Sequence, residues 1–373
     1  MCGNAMARVL LSTTRRGNMR DAQGRKAIRI QRLAQKAKNL LRQQENMAEQ
    51  DINAQYMESD DPEWPIVKAA QRTFFRSPIC ANLEELDADI AIIGVPFDQG
   101  TFGRPGARFG PDAVRDAPRA YQYMDPQGAQ KQAEGAFDID FGDELLRGVT
   151  IADCGDVSIV PSEVVNNFAR LTKAVETIVD RGAFPVVVGG DHAITFPVVR
   201  ALGKFEPLNI VHFDAHMDYS HHTQGVRLTH GSPIRRCREL SFVDHITSLG
   251  IRKARRKPYE ESQRDGSLII TTNGFHELGP QGIVEQIPAG ENLYITFDID
   301  VMDPSQAPGT GTPEVGGLFY AEARECLERL VEKCNLVAFD MVEVAPPYDS
   351  SDITSQLAAR LIFDVLAARF PPR

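Results

Sequence analysis

Three short segments hold acids and imidazoles at spacings that suit chemistry. The first is Val188-Gly189-Gly190-Asp191-His192, where an apolar run enters two glycines and then an acid and an imidazole. The glycines permit a tight turn, from which His192 can project. The second is His212-Phe213-Asp214-Ala215-His216-Met217-Asp218. Alternate residues of an extended chain share a face, so this reading puts Asp214, His216 and Asp218 on one side. The third is Asp298-Ile299-Asp300-Val301-Met302-Asp303-Pro304, where Asp298 and Asp300 share a face in the same way. Like charges this close to apolar runs repel unless something neutralises them.

The three segments together offer His192, Asp214, His216, Asp218, Asp298 and Asp300. Six ligands, four of them carboxylates, exceed what one tetrahedral zinc takes. They suit two divalent metals of the manganese type, with carboxylates bridging; the same mixture accepts nickel, cobalt or iron. A metal pair lowers the pKa of water and so supplies a nucleophile at neutral pH.

The elements that must position these residues are visible as apolar runs. Strand-like runs occur at Ile90–Val95, Val149–Ala152, Phe184–Val188, Leu208–Phe213, Ile246–Gly250, Leu268–Thr271, Leu293–Phe297 and Leu336–Met341. Helical patterns fill several gaps, clearly from Ser162 to Arg181, Tyr320 to Lys333 and Thr354 to Arg369. Alternation of this kind, with continuously apolar strands, predicts a parallel sheet covered on both faces. An open sheet and a (β/α)₈ barrel both fit the count. Either places chemistry at the carboxyl ends of the strands, where the three segments lie.

Composition narrows the class further. Of 373 residues, 42% are apolar and 25% charged, as in ordinary globular proteins. The net charge of −10 and a pI near 5.4 argue against a nucleic-acid binder. No apolar run approaches the roughly 20 residues a bilayer span needs, so no membrane segment is expected. The six cysteines form no CxxC pair and read as reduced thiols of an intracellular protein. Residues 1–60 form a basic extension and an acidic, Pro-containing linker, and residues 61–373 read as one α/β domain. The extension shows helical spacing from Arg25 to Gln44. It reads as an arm on a neighbouring subunit, an organelle transit segment, or a basic tail preceding a start at Met47.

Gly-Gly-Asp-His at 189–192, Asp-Ala-His-Met-Asp at 214–218 and Asp-Ile-Asp-Val-Met-Asp-Pro at 298–304 resemble the three metal signatures of the ureohydrolases, the arginase and agmatinase family. Gly94–Asp98, Arg104–Pro111, Thr229–Pro233 and Pro308–Glu314 resemble the agmatinase branch. The resemblance implies a three-layer α-β-α sandwich with a mostly parallel eight-stranded sheet, not a barrel. It implies that His192, Asp214, Asp218 and Asp298 hold one metal, and that His216, Asp214, Asp298 and Asp300 hold the other. Mn2+ is the expected ion, with Ni2+ as the alternative. His230 matches the proton shuttle to the leaving amine, and Glu343 the carboxylate that binds the guanidinium. The guanidinium carbon is a poor electrophile and its amine must leave protonated, so a nucleophile generator and a proton donor are the minimum equipment.

The resemblance also implies a small guanidino substrate, release of urea, and a homo-oligomer, trimer or hexamer. Agmatine is the first expectation. Guanidine, guanidinobutyrate and guanidinopropionate are alternatives, as is a non-catalytic subunit of the same fold. Tyr219-Ser220-His221-His222 departs from the loop that arginases use for an amino acid head, which disfavours arginine. His221 and His222 read as an exposed loop pair or as pocket-shaping groups. His212, out of phase with the ligand face, reads as a residue behind the ligands or in the core. A cytoplasmic location is expected, with organelle targeting through the basic N-terminus as the alternative.

Overall fold

The computed structural model describes residues 67–68, 72–120 and 135–371. The extension assigned to residues 1–60 lies outside them. Eleven strands are present among the described residues: β1 (Val67–Lys68), β2 (Ile90–Val95), β3 (Ala136–Asp138), β4 (Asp143–Leu145), β5 (Ile151–Val157), β6 (Phe184–Gly189), β7 (Leu208–Phe213), β8 (Val243–Ile251), β9 (Leu268–Thr271), β10 (Asn292–Asp298) and β11 (Asn335–Val342). The principal sheet runs in the order β1-β5-β2-β6-β11-β10-β7-β8-β9, while β3 and β4 form a separate hairpin. The pairings from β5 through β9 are all parallel. Among the described residues of this sheet, only β1, two residues long, pairs antiparallel, at the β5 edge. The sheet thus has the eight parallel strands expected, plus one short edge strand. Its ends, β1 and β9, do not pair, so the barrel is ruled out.

Strands buried on both faces explain the continuous apolar runs. Along β2, Ile90 and Ile92 join one hydrophobic cluster, whereas Ala91, Ile93 and Val95 join the other. The second cluster also contains residues of α1 (Val164–Asp180); the first contains residues of α2 (Tyr320–Lys333) and α3 (Ile353–Arg369). These are the three helices whose spacing was legible in the sequence. The result is a three-layer α/β/α sandwich, with one core on each side of the sheet.

Four strands in the middle of the sheet, β6-β11-β10-β7, are immediate neighbours. They carry His192, Glu343, Asp298 and Asp214 just past or at their carboxyl ends. Parallel pairing therefore brings residues more than a hundred positions apart in sequence to one rim. Gly190 makes that rim possible. A Cβ there would stand 1.6 Å from the Phe97 carbonyl oxygen, and that same oxygen accepts the Asp191 amide at 2.7 Å. Gly190→Ala therefore has to push the chain after β2 away from the chain after β6. It should destabilise the fold by at least ~3 kcal/mol, the upper part of the overpacking range. A urea-unfolding midpoint equal to wild type would contradict this close approach.

Candidate metal centre

The strands stop short of the ligands, and turns do the final aiming. β7 ends at Phe213, so the shared face expected for Asp214, His216 and Asp218 does not come from strand alternation. Asp218 instead has φ +42°, in the left-handed region. Likewise Asp298 closes β10, and Ile299–Val301 form a turn of 3₁₀ helix whose Asp300 amide is capped by the Asp298 carboxylate at 2.9 Å. His192 opens another 3₁₀ turn, capped by Asp191. Short polar residues bend the chain back by bonding their own backbone, so the acids converge on one point.

His192 Nδ1 lies 3.2 Å from Asp214 Oδ2, 3.1 Å from Asp218 Oδ2 and 3.1 Å from Asp298 Oδ2. His216 Nδ1 lies 3.0 Å from Asp300 Oδ2 and 3.4 Å from Asp214 Oδ1. Asp214 therefore faces both imidazoles, one with each oxygen. All six sequence-selected residues are brought together. They gather around Nδ1 of His192 and Nδ1 of His216. The donor atoms of Asp214, His216 and Asp300 lie close enough together for one ion, as do those of His192, His212 and Asp214. His192, Asp214, Asp298 and Asp300 are buried; His216 and Asp218 are only slightly more open.

The donor set fits a cation. His192 Nδ1 is buried and has no hydrogen-bond partner among the described residues, although three carboxylate oxygens surround it. The contacts are near but off the line of an N–H donor, which leaves a lone pair and three anionic oxygens aimed at one volume. Electrostatics says the same. Burial, then the charges of Asp300 and Asp214, push Asp298 well above the usual carboxylate range. Burial works against a charged His216, but Asp300 and Asp214 outweigh it and push that imidazole up to about 12. Burial opposes a charged His192 as well, yet the nearby carboxylates of Asp214, Asp218 and Asp298 raise it well above its ordinary value. Even with both imidazoles protonated, four carboxylates leave negative charge uncompensated, and two divalent ions are the natural counterweight.

His230 and Glu343 flank this cluster. Glu343 adopts φ +62° directly after β11, a strained conformation for a side chain. Its Oε1 accepts the His192 amide at 2.9 Å and lies 3.3 Å from His230 Nδ1. His230 Nε2 accepts the Phe102 amide at 3.0 Å, so Nδ1 carries the proton and points it at Glu343. Burial lowers the His230 pKa, but Glu343 overcomes this and pushes it up to about 9. The Phe102 amide acts in the opposite sense, since it needs the Nε2 lone pair; the buried carboxylate, being a full charge, is the stronger influence.

Several supporting residues had no role in the sequence reading. Asp191 accepts the amides of Gly100 at 2.7 Å and Ala193 at 3.0 Å, which ties the 98–104 loop to the His192 turn. Burial and the neighbouring Glu343 push it up to about 7. Its only signal was its place between Gly190 and His192. Arg252 donates to the carbonyls of Gly250, Asp300, Val301 and Glu314, and so clamps the Asp300 turn. Nothing in its sequence surroundings marks it. His212 Nε2 stands 2.7 Å from Asp214 Oδ2, behind the ligand face as expected. Tyr219 is buried and donates to Asp265 at 2.6 Å, so it does not line the mouth, while His221 and His222 are exposed.

A three-layer parallel sandwich with paired cation cradles at its central strand ends defines a binuclear-metal hydrolase. Residues 88–368 match the profile described as the arginase family. The human mitochondrial guanidino acid hydrolase is 37% identical over 304 residues, covering 79% of this chain and 82% of that protein. The mitochondrial agmatinase of Gallus gallus is 37% identical over 302 residues, covering 79% and 84%. The structure of proclavaminate amidino hydrolase from Streptomyces clavuligerus superposes with a TM-score of 0.72 at 32% identity, covering 81% of this chain and 97% of that one. The chain belongs to the arginase family, the ureohydrolases, and is a hydrolase of guanidino compounds.

The raised His216 imidazole carries a prediction. On the protein's own charges His216 holds a proton at pH 7, because its pKa is pushed up to about 12. A cation competes with that proton, so loading must release it, and affinity must rise as pH rises. Calorimetry of Mn2+ loading in buffers of differing ionisation enthalpy should therefore read net proton release. Uptake, or no exchange at all, would contradict the charge balance described here.

Proposed function

We propose that this chain cleaves a small, linear guanidino compound to urea and an amine, with agmatine as the first candidate. The observation that carries the reading is the buried carboxylate cluster beside the His230–Glu343 pair. His192, Asp214, Asp218 and Asp298 would hold one ion; His216, Asp214, Asp298 and Asp300 would hold the other. Mn2+ is the proposed metal, and Ni2+ the alternative. When bound, the two cations lower the pKa of water, so that a nucleophile is available at neutral pH.

The remaining work belongs to the side chains. With the four ligand carboxylates balanced by the two cations, Glu343 is the acid left to meet a cationic guanidinium. Glu343 accepts its N–H groups and fixes the plane of the planar carbon. His230, whose pKa lies at about 9, is protonated at neutral pH once its ring leaves the Phe102 amide, and it delivers that proton to the departing amine. A second reading, a guanidino acid such as guanidinobutyrate or guanidinopropionate, is favoured by the human relative, whose name assigns it guanidino acids at the same 37% identity as the avian agmatinase.

Three tests follow from these roles. Asp214→Asn should lose most bound metal and nearly all activity, since Asp214 faces both imidazoles; full metal content in that variant would remove its bridging role. His230→Ala should keep both metals yet slow kcat by about 10²–10⁴-fold, the usual contribution of a general acid. An unchanged kcat would exclude the proton-shuttle role. Urea release measured over agmatine, guanidinobutyrate, guanidinopropionate, guanidine and arginine should favour agmatine, with arginine poorest. A higher kcat/KM for the guanidino acids would replace the first reading with the second, and no urea from any compound would defeat both.

A further inference from the structure

Behind His192 lies a buried polar chain that neither binds a cation nor faces substrate. Asp340 sits on β11 and is fully buried. Its register partner on β10 is Thr296, and β11 also pairs with β6, which leads to His192. Tyr294, Thr296 and Asp298 alternate on one face of β10, so the chain runs along the face that ends in the metal centre. Asp340 Oδ2 accepts the Thr195 hydroxyl at 2.6 Å and also the Tyr294 hydroxyl. Thr195 Oγ1 lies 3.1 Å from Thr296 Oγ1, which lies 3.1 Å from His192 Nε2.

Hydrogen counting fixes the direction of this chain. A carboxylate is an acceptor only, and each threonine has one hydrogen to give. Thr195 spends its hydrogen on Asp340, so Thr296 must donate to Thr195. Thr296 also hydrogen-bonds Asp340 itself, and that route spends its hydrogen equally. Either way Thr296 can only accept from His192. The proton therefore sits on His192 Nε2, and Nδ1 presents its lone pair to the three carboxylates of the metal centre. Burial pushes the Asp340 pKa up. Its Oδ2 already takes two hydroxyl donors, while Oδ1 has no hydrogen-bond partner among the described residues, so a proton on the acid sits on Oδ1 and leaves the hydroxyl directions unchanged. A buried carboxyl with one unmatched oxygen is costly, and a purely structural pin would be served as well by an apolar residue.

We propose that Asp340 is a positioning residue: through Thr195 and Thr296 it imposes the Nε2–H form of His192 and so makes Nδ1 a metal ligand. The inference rests on the metal centre described above. It is tested by the metal affinity of full-length chain, stripped with chelator and titrated with Mn2+ by calorimetry, and by thermal melting of the stripped protein. Thr296→Val removes the acceptor, and Asp340→Leu removes the anchor that directs the hydroxyls. Each should weaken one of the two ions by about 10- to 100-fold, the usual cost of losing an outer-shell partner, and leave the other ion as in wild type. Thr296→Ser and Asp340→Asn keep the accepting oxygens and should bind both ions as wild type does. Wild-type affinity in both Thr296→Val and Asp340→Leu would overturn the proposal. So would equal weakening of both ions with a lowered melting temperature, because that is the signature of a structural pin. Wild-type protein that takes up fewer than two ions would instead sink the metal centre itself, and the relay with it.

Discussion

Buried negative charge without its own counter-charge is the constraint that organises this molecule. Asp214, Asp298 and Asp300 are buried at the carboxyl ends of the central strands, and Asp218 closes the ring. Such a group tolerates no neutral interior. A proton on His216 relieves it in part; divalent cations would relieve it fully and supply chemistry at the same time. The fold, the turns and the surrounding polar network all read as means of holding these acids closer together than they would choose.

The holding is done largely by backbone. Parallel pairing of β6, β11, β10 and β7 fixes the four strand ends. Gly190 admits the contact with the Phe97 carbonyl that seats the His192 turn. Asp218 and Glu343 take left-handed conformations that few side chains adopt, and each belongs to the site. Strain of this sort persists only where the surroundings overdetermine it, and here Arg252, Asp191 and the Glu343 contact to the His192 amide provide that. Rigid turns around the acids also explain why a proton donor can stand beside the metal cluster without joining it: His230 is held by Glu343 and by the chain at Gly100 and Phe102.

Much of this was legible in the residues alone. Continuous apolar runs marked the eight parallel strands, because a sheet covered on both faces leaves no polar alternation. The acids and imidazoles were legible because their types are costly at strand ends unless they serve a cation. Other features left no local signal. β1 is two residues long and is defined only by its partner β5. Asp214, His216 and Asp218 were grouped for the wrong reason, strand alternation, where a turn does the work. Arg252, Thr195 and Asp340 are ordinary residues in sequence, and only long-range pairing reveals what they hold.

The most direct test of the central claim is anomalous X-ray diffraction from crystals of the Mn2+-loaded protein. Two anomalous peaks per chain are expected, one between His192, Asp214, Asp218 and Asp298, the other between His216, Asp214, Asp298 and Asp300. A single peak, or peaks elsewhere with these carboxylates apart from any metal, would contradict it.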